Sequence, residues 1–242
     1  MSDLLEHVLD AHGGLDRWRQ LRQIAVHARI DGVTWHAKGF GEAMLDSHIT
    51  LDPHHQNVSY APFLTAGRRS RFEPDRVAIE TLDGEVVAER VGPRRAFAGH
   101  QFSTKWDELH LAYFTGYAMW NYLTAPFLFT WPGTVAEEIE PWDENGESWR
   151  RLKVTFPPDV ATHNPEQVFY YGQDGLLRRH DYAGEVVHGA NPALTAHYTD
   201  QHRSFAGLVF PTRRRALRTN PDNTPRTDLV AVSIDLLDVR LT

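Results

Sequence analysis

The chain has 242 residues, with 25 basic and 32 acidic side chains for a formal charge of −7, and it contains no cysteine. An acidic balance argues against a general nucleic-acid binder, whose footprint is a basic surface. The missing cysteine excludes disulfides, thiol nucleophiles, iron–sulfur clusters and cysteine-ligated zinc. Hydrophobic residues at 41% and aromatics at 11% fit one folded domain with a sizeable core, neither disordered nor a membrane bundle.

Leu4, Leu5, Val8 and Leu9 fall at helical spacing behind Ser2 and Asp3, which suit an N-cap and a favourable dipole contact. Asp3, Glu6 and Asp10 stand where a secretory signal would need basic residues and then an apolar run, so the chain as given is expected to be cytoplasmic. Gly13-Gly14 interrupts the helical pattern, and Leu15, Trp18 and Leu21 resume it, which places helices within residues 1–22. From Arg22 the period becomes two. Ile24, Val26, Ala28 and Ile30 alternate with Gln23, Ala25, His27 and Arg29, as in a half-buried strand. Further strands are expected near 33–40, 44–51, 55–61, 68–72, 76–81, 86–91, 193–199, 207–217 and 228–241. Asp31-Gly32, Asp83-Gly84, Asn145-Gly146 and Asp174-Gly175 read as hairpin dipeptides. The clearest hairpins are TVAEEIEPW, DENGE, SWRRLKVTF and EQVFYY, GQDG, LLRRHDYA. Many short strands joined by short loops predict an antiparallel meander, and with no linker or charge block the whole of 1–242 reads as one mainly β domain with added helices.

From Leu111 to Ala136 no residue is charged, a length that raises the question of a membrane span. Thr115, Gly116, Asn121, Thr124, Pro126 and Pro132 interrupt that stretch, and its Tyr and Trp residues are spread along it rather than gathered at its ends. Trp106, Leu109, Tyr113, Tyr117 and Trp120 follow a 3-4-4-3 spacing. They predict a helix over 104–122 laid against the sheet and followed by a buried strand, with no membrane span.

A helical start, a long meander and an apolar helical insertion occur here with three local phrases. These are FEPDRVAIETLDGEVV before the insertion, YYGQDGLLRRHDY in a later hairpin and GLVFPTRRRAL near the end. Together they resemble the bacterial periplasmic lipoprotein-carrier superfamily. The resemblance covers nearly the whole chain and implies a single curved antiparallel sheet, an unclosed half-barrel whose concave face surrounds a hydrophobic cavity closed by helices. The insertion is much more aromatic here than in those carriers.

Familiar catalytic patterns are missing: there is no G-x-S-x-G elbow, no P-loop and no H-E-x-x-H helix. Gly39-Phe40-Gly41 lacks a third glycine, and Asn57-Val58-Ser59 is a glycosylation sequon only in a secreted protein. Of the 14 histidines, His54, His55, His180 and His197 are the conceivable zinc ligands. Adjacent strand residues such as His54 and His55 point to opposite faces, and no pair shows tight ligand spacing, so neither metal nor cofactor is expected.

Alternation puts His180 and Tyr182 on one face with Arg178, and Arg179 and Asp181 on the other. In the next strand His197 shares a face with Thr195 and Thr199. Consecutive strands usually pair, which would bring His180, Tyr182 and His197 to one wall as proton-transfer groups, with Arg178 positioned to bind an anionic part of a ligand. The ordinary alternative is exposed or hydrogen-bonded strand residues. The pairs Arg68-Arg69, Arg94-Arg95, Arg150-Arg151 and Arg178-Arg179 and the run Arg213 to Arg215 read as a solvated face paired with acids, although one of each could point inward.

The expected function is binding of a small hydrophobic or amphipathic molecule in the concave cavity, with Trp106, Tyr113, Tyr117 and Trp120 as wall and lid. Ordinary core packing is the competing reading of that aromatic stripe. The alternative function is a cofactor-independent acid–base enzyme, an isomerase, lyase or cyclase, acting on a hydrophobic substrate in the same cavity.

Overall fold

A computed structural model describes residues 2–189 and 194–242. The N-terminal apolar spacing forms α1 (Asp3–Ala11), whose first turn is capped by Ser2 Oγ accepting from the Leu5 amide at 3.2 Å. A single turn, α2 (Leu15–Trp18), follows the glycine break. Gly13 requires the absence of a side chain. Its φ is +107°, and a Cβ would lie 2.1 Å from the Gly207 carbonyl oxygen.

The strand β1 (Ile24–Asp31) buries Ile24, Val26, Ala28 and Ile30, as its alternation predicts. The expected strand at 33–40 is instead a helix, α3 (Val33–Lys38). Asp31-Gly32 is no hairpin turn: Gly32 takes φ +129° hard against the backbone of Ala231, and the chain leaves the sheet there. Burial of Trp35 and Lys38, three residues apart, then follows the helical period despite the strand-forming Val-Thr-Trp sequence.

The remaining strands are β2 (Ser47–Leu51), β3 (Val58–Tyr60), β4 (Arg68–Glu73), β5 (Arg76–Thr81), β6 (Val86–Val91), β7 (Val135–Glu144), β8 (Glu147–Thr155), β9 (Glu166–Tyr171), β10 (Leu177–Ala183), β11 (Leu194–Phe205), β12 (Leu208–Thr219) and β13 (Pro225–Leu241). Position 193 of the expected strand 193–199 lies outside the described residues. All thirteen strands join one antiparallel sheet in the order β6-β5-β4-β3-β2-β1-β13-β12-β11-β10-β9-β8-β7. Every neighbour is consecutive in sequence except β1 and β13. The edges β6 and β7 do not meet, so the fold is mainly β and the half-barrel stays open.

The chain leaves the sheet at one edge, β6, and returns at the other, β7. The segment between them includes α4 (Glu108–Thr124), which packs against β3, β4 and β5. The helix begins later than the aromatic spacing predicts. Asp107 is its N-cap, accepting from the His110 amide at 2.8 Å while His110 Nδ1 accepts from the Asp107 amide at 3.3 Å. Trp106 therefore precedes the helix. From Leu111 to Thr124 every residue is buried, so α4 is a core helix with no solvent face, and among the described residues no helix is long and apolar enough to cross a membrane. A short 3₁₀ turn at Phe127–Thr130 follows. That turn stands where a buried strand was expected, and β7, expected as the first strand of a hairpin, is an exposed acidic edge carrying Glu137, Glu138 and Glu140.

Candidate functional site

The inward face of β10 and β11 meets α4 through a continuous chain of buried phenols and imidazoles. His180 and His197 are direct cross-strand partners. Tyr182 Oη lies 3.4 Å from His197 Nδ1 and 3.0 Å from Tyr122 Oη on α4. Tyr122 Oη lies 2.7 Å from His163 Nε2, and His163 Nδ1 lies 3.1 Å from Tyr117 Oη. The imidazole of His163 also stacks on Tyr182 at 3.9 Å. His180 stands beside this chain, with Nε2 at 2.5 Å from Gln167 Oε1.

The order Tyr117, His163, Tyr122, Tyr182, His197 can be satisfied with its protons running in either direction. With Tyr117 donating to His163, each next group donates onward, and the His197 Nε2 proton is left without a partner. With His197 Nδ1 donating to Tyr182, the chain runs backward and His197 Nε2 becomes a bare base. That atom is buried and has no hydrogen-bond partner. If His197 Nε2 gives its proton to a bound group and the others each move one link along the chain, His197 becomes an acceptor and Tyr117 is left one proton short, so the cycle closes only when a proton is returned to Tyr117.

Burial fixes the charge states. It holds the His163 imidazole at about 3, helped by the Arg94 charge, and holds His180 and His197 well below the usual histidine range. The phenols of Tyr117, Tyr122 and Tyr182 are pushed up by the same desolvation. Near neutral pH the chain is thus uncharged. The charge nearby belongs to Arg214, a buried β12 residue that burial pushes down to about 10. Its Nη2 donates to the Tyr122 carbonyl at 2.8 Å, its Nε has no partner, and no carboxylate pairs with it among the described residues. The C-terminal carbonyls of α4 supply the partial negative charge that offsets it.

Two spaces adjoin this chain. An apolar cavity of about 20 Å³ lies between Phe114, Ala118 and Tyr122 of α4 and the sheet residues Ile30, Tyr182 and Ile234. That volume is about enough for a single water. The hydrophobic cavity expected from the sequence is almost filled by the helix meant to cover it. A larger cleft of about 490 Å³ opens at the surface between the β4–β5 turn and the loop at 157–165, with Arg94 and Tyr113 in its wall. Arg94 ties that loop down, donating to the carbonyls of Thr162 at 2.6 Å and His163 at 3.1 Å.

The structure brings His180, Tyr182 and His197 together on the inner face, and Tyr117 with them. Tyr113 reaches the outer cleft. Trp106 and Trp120 line neither space. Trp106 packs on Phe97 and under the Lys38 ammonium, and Trp120 Nε1 donates to the Asp52 carbonyl at 2.8 Å, as core aromatics do. Arg178 does not join the cluster. A bulge between Leu177 and Arg179 breaks the β9–β10 register, and its guanidinium is paired with Asp174 at 2.7 Å. Most other members of the arginine pairs bond to acids at the surface. Arg151 donates instead to the Glu140 carbonyl, and two arginines are buried: Arg214, and Arg179, which lies on the opposite face in a bidentate pair with Asp181 at 2.6 and 2.9 Å. His54 and His55 bond separately, to the Leu21 carbonyl and to Asp52.

Sequence reasoning missed His163, Tyr122 and Arg214. For Arg214 the signal was present, since Leu208, Phe210, Thr212, Arg214 and Ala216 are an unbroken alternation of buried positions. His163 sits in an irregular loop with no period to read.

No family model matches the chain, and no curated protein matches it. Solved structures do. A domain from Vibrio parahaemolyticus described as outer membrane lipoprotein-sorting matches 99% of this chain and 91% of its own, with a TM-score of 0.55 and 9% identity. A LolA superfamily protein from Nitrosomonas europaea matches 97% of this chain and 92% of its own, with a TM-score of 0.53 and 11% identity. The fold is lipoprotein-carrier-like across its whole length.

Proposed function

We propose, from a lipoprotein-carrier-like fold whose concave face is covered by one helix, that this protein binds a small hydrophobic or amphipathic molecule between α4 and the sheet. The observation that carries this reading is how α4 is held. It shares no backbone ladder with any strand and is held to the sheet by side-chain packing and side-chain hydrogen bonds, two of them to its own carbonyls at Thr115 and Tyr122, over an apolar cavity with Tyr122 and Tyr182 in its wall. A ligand that moves α4 outward exchanges one set of apolar contacts for another, so binding need not expose the core to water. The names of the similar structures, one tied to lipoprotein sorting, support the same reading.

Titration with Nile red, a neutral apolar dye, tests it. One saturable site is expected in the wild-type chain, weakened in Ala118→Leu, which adds a side chain to the cavity wall while melting remains cooperative. A lack of saturable dye binding, together with no apolar molecule in an organic extract of the purified protein, would overturn the proposal.

The buried tyrosine–histidine chain favours a second reading, cofactor-free acid–base chemistry on the bound molecule, with His180, Tyr182 and His197 as its groups. Under that reading His197→Gln retains dye binding but leaves a candidate substrate unconverted. Equal conversion by wild type and variant would return the site to binding alone.

A further inference from the structure

The outer face of the sheet carries a second cluster, unconnected to the histidine chain. In β1 the buried positions are Ile24, Val26, Ala28 and Ile30, and in β2 they are Ser47, Ile49 and Leu51, so His27 and His48 both point outward. The β1–β2 ladder sets these two residues directly opposite each other. Their rings stack with centroids 4.4 Å apart and planes within 8° of parallel. Asp46 stands immediately before β2 and directs Oδ1 at both, 2.7 Å from His27 Nε2 and 3.5 Å from His48 Nε2. All three donor atoms lie within 4.8 Å of one another.

We propose that His27, Asp46 and His48 bind a divalent transition-metal ion of the zinc class. A tetrahedral ion with bonds of about 2.0–2.1 Å holds its donors roughly 3.3 Å apart, and the two contacts to Asp46 bracket that separation. Two imidazole nitrogens and one carboxylate oxygen form a borderline donor set, which suits Zn²⁺, Co²⁺ or Ni²⁺ and not the hard, oxygen-seeking Ca²⁺ or Mg²⁺. The backbone ladder fixes the distance between the two histidines, so the ion need only draw in three side-chain tips that are free to turn at the surface. Three protein donors leave a position for water, and the site borders a shallow cleft of about 350 Å³ shared with Thr50, Ala61 and Arg240. The ion takes the Nε2 lone pair of each imidazole, whose N–H then sits on Nδ1, and protons compete for the same nitrogens, so binding weakens in acid.

Isothermal titration of the full chain with Zn²⁺ tests this independently of any ligand on the concave side. One saturable site is expected at pH 7.5, and excess Ca²⁺ should not compete. His48→Ala and Asp46→Asn should each weaken binding at least about tenfold, the least that even outer-shell partners of a metal are worth. His55→Ala removes an exposed histidine that has its own aspartate but no second imidazole, and should change nothing. All of these positions are at the surface, so unchanged melting curves are expected and separate loss of the site from loss of the fold. No saturable Zn²⁺ binding, or equal affinity in wild type and His48→Ala, would overturn the proposal.

Discussion

Arg179 and Arg214 are both buried, on opposite faces of the sheet, and they should respond to the same substitution in opposite ways. Arg179 neutralises Asp181 in a bidentate pair, so Arg179→Met strands a buried carboxylate and should cost about 3–5 kcal/mol in urea unfolding. Arg214 has no carboxylate to strand. Arg214→Met removes a buried charge that only helix carbonyls offset, together with one hydrogen bond to a carbonyl, two effects of comparable size and opposite sign, so stability should stay within about 1–2 kcal/mol. Equal losses in the two variants would show that charge pairing does not distinguish them. At this scale the sequence was readable wherever the strands are regular. Alternation and the pairing of consecutive strands suffice to bring His180, Tyr182 and His197 together, because β10 and β11 are neighbours in both chain and sheet. The same logic misplaced Arg178, since a bulge shifts the register at that point. It also overlooked His27 and His48, whose separation of 21 positions looks unlike a ligand spacing until the ladder sets them face to face.

Among the elements, α4 is the one on which the interior depends, and Gly116 shows how closely it approaches the sheet. A Cβ at that position would lie 2.4 Å from both Cβ and Cγ of Phe72 on β4, atoms near the backbone that cannot swing aside. Gly116→Val should therefore cost about 1–3 kcal/mol or more through overpacking, read as a lower urea midpoint at unchanged slope. A neutral or stabilising result would mean that the helix can back away from β4. The presence of this helix was legible, but its limits were not. Its burial on all sides leaves no polar face to mark a period, and its cap uses His110 where a recognisable capping box has Glu or Gln. In α3 the strand-forming residues misled, because Gly32 had already turned the chain out of the sheet. The hairpins around Asn145-Gly146 and Asp174-Gly175 were readable because turn chemistry and alternation agree there.

The molecule as a whole contains four buried imidazoles with lowered proton affinity. His12 is held at about 4 and His163 at about 3, mainly by burial, and His180 and His197 are well below the usual range. The unfolded chain protonates these groups below about pH 6.5, whereas the folded core does not. The stability they allow is complete above that pH and is lost as the pH falls toward 4, by about 1.4 kcal/mol per pH unit for each imidazole. Urea unfolding at pH 7.5 and 5.0 should show a loss of several kcal/mol, and a flat profile would place the imidazoles in contact with solvent. The strand order has a further consequence, for the path by which the chain folds. Eleven of the twelve strand pairings join sequence neighbours and can form as soon as both strands exist, at a small entropy cost for each short turn, but the seam between β1 and β13 joins Ile24 to Leu241. Closing a loop of that length costs about 5 kcal/mol of chain entropy by the logarithmic law, roughly four times the cost of a tight hairpin. Two local half-sheets, β1 to β6 and β7 to β13, would thus form early and stay apart, tethered by the segment that contains α4. When the seam zips, the tether lies inside the curve, and the helix is enclosed by the same event that makes the two halves one sheet.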